Sequence, residues 1–257
     1  MKLRVHIVHQ FTADAPAILR ELTSDQIEIT WGETLPTAYD ILVHGRPTID
    51  QLTASENLRA VIVPFAGVPG TTLKLMADYP RVSLHNLHHN ARSTAEMAVT
   101  LLLAAAKFVV PADRELRHNN WTSRYEPRPI ATLNGMQALI LGYGRIGRHI
   151  APPLQALGMR VTGVRRAPAD DAENGVRIHG IDALQARLPT TDALISTLPL
   201  TSETRGIVGV TEFDLLPDDA IVVNVGRGPT MDERALYEAL RDGRLRAAAI
   251  DVWYRYP

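Results

Sequence analysis

Gln137-Ala-Leu-Ile-Leu-Gly-Tyr-Gly-Arg-Ile-Gly147 decides how the rest of the chain is read. Ala138 to Leu141 is a short apolar run with the length and branching of a buried strand. It breaks into Gly142-Tyr143-Gly144-Arg145-Ile146-Gly147, which opens a helical pattern running to about Leu157. At a strand-to-helix turn this glycine spacing has a mechanism. Gly142 permits the tight turn, Gly144 admits a pyrophosphate to the backbone, and Gly147 lets the helix lie close on the strand. The helix then turns its unpaired N–H groups and its dipole toward the phosphates.

Outward from that stretch, the whole chain alternates between strand and helix patterns. Before it come strands at Leu3 to Val8, Ile27 to Thr30, Asp40 to His44 and Leu58 to Val63, with helices near Pro16 to Leu22, Thr48 to Ala54 and Thr71 to Asp78. Asn90 to Asn119 reads as helix with a break at Pro111, and its apolar part, Ala95 to Val110, as a buried helix too short to span a bilayer. Trp121 to Asn134, which contains Pro127 and Pro129, reads as a connector. After it come strands at Met159 to Val164, Asp192 to Thr197, Ala220 to Asn224 and Ala247 to Val252, with helices at Asp182 to Leu188, Thr211 to Leu216 and Asp232 to Arg241. This rhythm predicts an α/β protein with parallel sheets, whose ligands sit beyond the carboxyl ends of the strands.

Composition narrows the function classes. Across 257 residues, 27 Lys and Arg face 28 Asp and Glu, so no net field favours nucleic acid or an anionic membrane. Cysteine is absent, which excludes disulfides and thiolate chemistry and fits a reducing cytoplasm. Met1-Lys-Leu-Arg-Val-His leads directly into a strand pattern with no apolar leader. His85, His88 and His89 fall in what reads as a linker without well-placed carboxylates, and no metal site is expected there.

About twenty residues past the glycines, where a carboxylate would hold the ribose hydroxyls of NAD, stand Arg165 and Arg166. A carboxylate would repel a 2′-phosphate, whereas a guanidinium holds one with paired charge-assisted hydrogen bonds. NADP(H) is therefore the expected cofactor, with NAD(H) as the second choice.

Five segments together resemble the D-isomer-specific 2-hydroxyacid dehydrogenases: Leu141-Gly-Tyr-Gly-Arg-Ile-Gly147, Leu198-Pro-Leu-Thr-Ser-Glu-Thr-Arg-Gly206, Asn224-Val-Gly-Arg-Gly-Pro229, Asp232-Glu-Arg-Ala-Leu-Tyr-Glu-Ala-Leu240 and Ala249-Ile-Asp-Val-Trp253. The match runs from about Asn90 onward and is looser before it, mainly at Gly67-Val68 and Ala95-Glu96. The resemblance implies two Rossmann-like, doubly wound domains: a flavodoxin-like substrate domain over residues 1–90 and an NAD(P)-binding domain over 91–257. It implies an active site in the cleft between them and a homodimer formed through the nucleotide domain. The implied reaction passes hydride between the nicotinamide and a small 2-oxo or 2-hydroxy acid, as in glyoxylate and hydroxypyruvate reductases.

The resemblance also assigns roles. Leu198, Pro199 and Thr204 would line the adenine and ribose side, with Val225 nearby, and Asp251 would hold the nicotinamide carboxamide. Arg227 would clamp the substrate carboxylate and polarise its carbonyl, and Gly226 and Gly228 would let substrate come close. Backbone around Ala66, Gly67 and Val68 would be the second carboxylate contact. The family's glutamate, five residues past Asp251, is here Tyr256, and the family's catalytic histidine lies further on than Pro257. His44 and Arg46, after the third strand, are weaker candidates for that site. The expectation is a fragment of a longer enzyme that lacks the segment returning to the substrate domain; the alternative is an inactive nucleotide-binding sensor or scaffold.

Overall fold

The computed structural model describes residues 2–9, 11, 15–22, 24–126, 130–167 and 172–256. Pro127, Pro129 and Pro257 lie outside the described residues. The chain divides into two units, Met1–Asn90 and Ala91–Pro257.

The first unit runs β1 (Leu3–Ile7), α1 (Ala15–Leu22), β2 (Ile27–Trp31), β3 (Ile41–Val43), α2 (Ile49–Thr53), β4 (Ala60–Val63), α3 (Gly70–Met76) and β5 (Ser83–Asn86). Its strands are parallel in the order β2-β1-β3-β4-β5, the flavodoxin-like arrangement. Tyr39, Leu42, Leu52, Val61 and Met76 form its core. β5 corrects the sequence reading, because His85 sits in a strand rather than in a linker, with its Nε2 3.0 Å from Ser83 Oγ.

The second unit opens with α4 (Ala91–Ala106), α5 (Val109–Arg117) and α6 (Thr122–Tyr125). The break between the first two lies at Phe108, whose φ is 55°, and not at Pro111. Pro111 is the third residue of α5, in the first turn, where its missing N–H goes unneeded. Among the described residues no single helix is long and apolar enough to cross a membrane, although the bent pair α4 and α5, at 63°, passes on length and composition. Ala91, Ala95, Ala98, Leu102 and Ala106 turn one face of α4 inward.

The remainder is β6 (Gln137–Leu141), α7 (Arg145–Ala156), β7 (Arg160–Arg165), β8 (Arg177–Gly180), α8 (Leu184–Arg187), β9 (Ala193–Ser196), α9 (Val210–Leu215), β10 (Ala220–Asn224), α10 (Glu233–Arg241) and β11 (Leu245–Ile250). The all-parallel order β11-β10-β9-β6-β7-β8 is the 3-2-1-4-5-6 Rossmann arrangement counted from β6. β6, β9 and β10 are buried on both faces, which is why they read as unbroken apolar runs. Alternate residues divide between two cores. Ala138, Ile140, Ile195 and Val223 face one; Leu139, Leu141, Leu194 and Val222 face the other. Each such large side chain contributes about 1.5–3 kcal/mol on burial. The sheet reverses its winding between β6 and β9, so a crevice opens where the loops after those strands part.

Candidate functional site

A cavity of about 930 Å³ lies at this reversal, lined among others by Gly142, Tyr143, Gly144, Arg165, Arg166, Leu198, Pro199 and Thr204. Each of those eight was expected at a dinucleotide. The turn after β6 is hooked to the end of β7, since the amides of Gly142 and Tyr143 donate to the Val164 carbonyl at 2.8 and 2.9 Å. Thr197 Oγ1 ties it to the β9 loop by donating to the Gly142 carbonyl at 2.6 Å.

The three glycines divide the work. Gly142 has φ +95°, which an L side chain rarely adopts, and a Cβ there would sit 3.0 Å from Thr197 Oγ1. At Gly147 a Cβ would meet Ile140 Cγ2 at 3.0 Å, so the missing side chain lets α7 rest on β6. At Gly144 a Cβ would meet nothing nearer than the Gly142 carbonyl oxygen at 3.8 Å. That backbone is open to an approaching group. It stands at the N-terminus of α7, where the amides of Arg145, Ile146 and Gly147 have no carbonyl one turn behind them. The arrangement fits a pyrophosphate.

Tyr143 contributes differently from its neighbours. Its ring is buried and packs on Gly163 of β7, where a Cβ would lie 2.7 Å from the ring. Burial, with the nearby Glu173 carboxylate, pushes its phenol up. Only its backbone is placed to serve a ligand. Val225 is similar: its side chain belongs to the core and its amide donates to the Ser196 carbonyl at 3.0 Å.

Three guanidinium groups line the cavity. Arg148 is held by a short Nε contact to Glu173, which lowers the carboxyl and raises the guanidinium. Arg165 donates from Nε to the Ala167 carbonyl at 2.7 Å. Arg166 lies 3.7 Å from Glu203 Oε2, and both side chains are largely exposed. Glu203 lines the same cavity from the loop after β9. That loop is stapled by its own threonines: Thr204 Oγ1 donates to the Pro199 carbonyl at 2.6 Å and lies 2.8 Å from the Thr201 amide.

Beyond β10 the loop carrying Arg227 is built from buried parts around one exposed side chain. Residues 224–226 and Gly228 are buried, whereas Arg227 is exposed. Asn224 sets the turn, since its Oδ1 accepts from the Gly226 amide at 3.0 Å and its Nδ2 donates to the Arg227 carbonyl at 3.2 Å. Thr230 Oγ1 donates to the same carbonyl at 2.7 Å. Asn224 and Thr230 escaped the sequence reading, although a short polar side chain two residues before a glycine is an Asx-turn signal. Arg227 Nη1 donates to the Gly226 carbonyl at 2.7 Å. The glycines on either side, expected to make room for substrate, make room for backbone. A Cβ at Gly226 would lie 2.5 Å from the Leu198 carbonyl oxygen, and one at Gly228 2.4 Å from that of Trp253.

Asp251 follows β11 with an exposed side chain, and its amide donates to the Asn224 carbonyl at 3.0 Å. Arg227 and Asp251 therefore leave the carboxyl ends of adjacent strands. Tyr256 is exposed, and its hydroxyl accepts from the Trp253 amide at 3.0 Å. Burial, with Glu233 and Asp232 nearby, pushes the Tyr254 phenol up to about 12.

In the first unit, Ala66, Gly67 and Val68 form a half-buried bend after β4, anchored by Asn86 Nδ2 donating to the Ala66 carbonyl at 2.6 Å. A cavity of about 470 Å³ beside it is lined by residues that include His9, His44, Arg46 and Phe65. His44 Nδ1 lies 3.0 Å from Gln51 Oε1, an oxygen that also accepts from the Thr48 amide.

Residues 99–257 match the family model described as D-isomer specific 2-hydroxyacid dehydrogenase, NAD binding domain. A D-3-phosphoglycerate dehydrogenase of Archaeoglobus fulgidus is 33% identical over 229 residues, covering 87% of this chain and 42% of that protein. A glyoxylate reductase of Aeropyrum pernix is 38% identical over 172 residues, 64% of this chain and 50% of that one. The chain thus spans half or less of the length of these relatives. Among solved structures, a D-isomer specific 2-hydroxyacid dehydrogenase from Xanthobacter autotrophicus, in complex with NADPH and MES, superposes with a TM-score of 0.83 at 26% identity, covering 100% of this chain and 82% of that one.

Proposed function

The chain belongs to the D-isomer specific 2-hydroxyacid dehydrogenase family, and on that premise we propose that it serves hydride transfer between NADP(H) and a small 2-oxo or 2-hydroxy acid, glyoxylate and hydroxypyruvate first among them. The observation that carries the reading is Arg227, an exposed guanidinium on a loop whose other parts are buried and hydrogen-bonded. The loop's shape is set by Asn224 and Thr230, and the fork, steadied by its Nη1 bond to the Gly226 carbonyl, is presented in a fixed orientation, as carboxylate recognition requires.

In this reading the nicotinamide supplies or accepts the hydride when bound. Gly142, Gly144 and the first amides of α7 receive the pyrophosphate. Leu198, Pro199 and Thr204 line the adenosine side, and Asp251 holds the carboxamide. Arg165 and Arg166 take the 2′-phosphate, so NADP(H) is favoured over NAD(H); the NADPH in the Xanthobacter autotrophicus structure supports this reading. Arg227 binds the substrate carboxylate and draws electron density from the adjacent carbonyl. In the first unit, the bend at Ala66, Gly67 and Val68 is proposed as a further carboxylate contact. Self-association as a homodimer in the cytoplasm is also proposed, supported by the exposed Val109, Val110, Leu116 and Trp121 on and after α5.

The test is oxidation of NADPH, with NADH alongside, against glyoxylate, hydroxypyruvate and phenylpyruvate, in the protein expressed from its own reading frame. Arg227→Ala should lower kcat/KM by roughly 10²–10⁴-fold while cofactor affinity stays within about two-fold. Unchanged turnover in that variant would remove Arg227 from the mechanism.

A further inference from the structure

The three arginines that line the dinucleotide cavity are not held alike, and the difference points to a residue that sets cofactor choice. Arg148 is locked to Glu173 by a short contact between half-buried side chains. Arg165 is held by a backbone carbonyl. Arg166 is held only loosely by Glu203, at 3.7 Å, with side-chain exposures of 86% and 70%. An exposed pair at that distance is weak and easily exchanged. The two partners reach the cavity from loops after different strands, β7 and β9, so the pair sits across a corner of it.

Resting on the NADP(H) reading above, we propose that Glu203 is a specificity-determining residue that acts through Arg166: its carboxylate occupies the guanidinium face that a 2′-phosphate needs. A ligand carrying that phosphate must displace Glu203 and then tolerate its charge nearby. A ligand with free ribose hydroxyls meets no such competition, and the carboxylate is an acceptor for those hydroxyls. Glu203 thus opposes the preference that Arg165 and Arg166 create. The pair behaves as a graded selector, with the cations favouring the phosphate and one carboxylate restraining them. The loop does not depend on Glu203 for its shape, because Thr201, Thr204 and the Pro199 carbonyl hold it.

The test is equilibrium binding followed by fluorescence and calorimetry, using NADPH, NADH and the fragment 2′,5′-ADP. Glu203→Gln should tighten NADPH and 2′,5′-ADP by about two- to five-fold and leave NADH unchanged or weaker, the range expected when an exposed charge pair is removed. In an Arg166→Ala background the same substitution should lose most of that gain, as a double-mutant cycle requires. An equal change for NADPH and NADH, or an undiminished gain without Arg166, would overturn the role of Glu203. The underlying reading fails separately: if Arg165→Ala and Arg166→Ala leave NADPH affinity intact, the arginines are not the phosphate site and the proposal falls with them.

Discussion

Substituting alanine at two glycines separates protein packing from ligand approach. At Gly226 a Cβ would stand 2.5 Å from Leu198 O, 2.7 Å from Leu198 N and 2.9 Å from Thr197 C, all backbone atoms with no rotamer to yield. Ordinary C···O contact begins near 3.3 Å, so the loops after β9 and β10 must part by on the order of 0.8 Å. That displacement would break the Val225 amide to Ser196 carbonyl bond, now 3.0 Å. Overpacking costs about 1–3 kcal/mol and the lost bond about 1 kcal/mol, together about 2–4 kcal/mol. For a domain of this size each kcal/mol lowers the thermal midpoint by about 2–4 °C, so Gly226→Ala should fall by about 4–16 °C. Gly144→Ala is the counterpart. Its φ of −111° lies outside the left-handed region, and its Cβ would meet only the Gly142 carbonyl oxygen, in ordinary contact at 3.8 Å. Its midpoint should move by no more than about 2 °C. Its affinity for NADPH should drop about ten-fold or more, measured by fluorescence titration on the same samples. A Gly226→Ala protein as stable as the parent would refute the packing argument. A Gly144→Ala protein that binds NADPH normally would refute the assignment of that glycine to phosphate approach.

Two other perturbations probe charge. Arg165→Asp places a carboxylate where ribose hydroxyls would be bound, and the ratio of NADH to NADPH affinity should rise by at least about ten-fold; an unchanged ratio would count against the strand-end reading. His6 is fully buried in β1 with Nδ1 2.9 Å from Thr30 Oγ1, and burial lowers its pKa below the ordinary 6.5. The unfolded chain therefore takes up a proton near pH 6.5 that the folded one refuses. Stability is intact above that pH and declines as pH falls toward the folded pKa, by up to about 1.4 kcal/mol per pH unit. Urea midpoints at pH 7 and pH 5 should diverge less in His6→Gln than in the parent, and equal divergence would exclude His6 as a source.

What could be read from residues alone follows from where strands lie in their sheets. β6, β9 and β10 are central, so burial on both faces writes them as apolar runs that need no structure to find. The two strands missed, β5 and β8, are both at sheet edges. Ser83-Leu-His-Asn86 and Arg177-Ile-His-Gly180 each carry a single large apolar residue, because an edge strand is half solvated and discourages pairing with polar side chains. The site shows the same division. Glycines, arginines and the strand-to-helix turn carry their chemistry in their identity, and eight of the residues that line the cavity were expected at a dinucleotide, whereas Arg148 and Glu203, ordinary charges in the sequence, were not. What Gly226 and Gly228 accommodate depends on which backbone passes beside them, and that contact spans distant segments. The break at Phe108 was hidden for a related reason: proline is a local signal, whereas a phenylalanine gives no sequence sign that its backbone is left-handed.

Tyr143 gives the glycine-rich turn a property that its glycines alone would not. A turn with three glycines would ordinarily sample many backbone states, and a ligand would have to freeze them. Here an aromatic ring is driven from the middle of the turn into the hollow that Gly163 leaves in β7. The free energy of burying that ring is settled when the chain folds, so the turn meets its ligand already shaped. Positions 143 and 163 are accordingly one unit of design. A larger residue at 163 requires a smaller one at 143, and whichever pair is present fixes how much of the binding energy is left for discrimination between ligands.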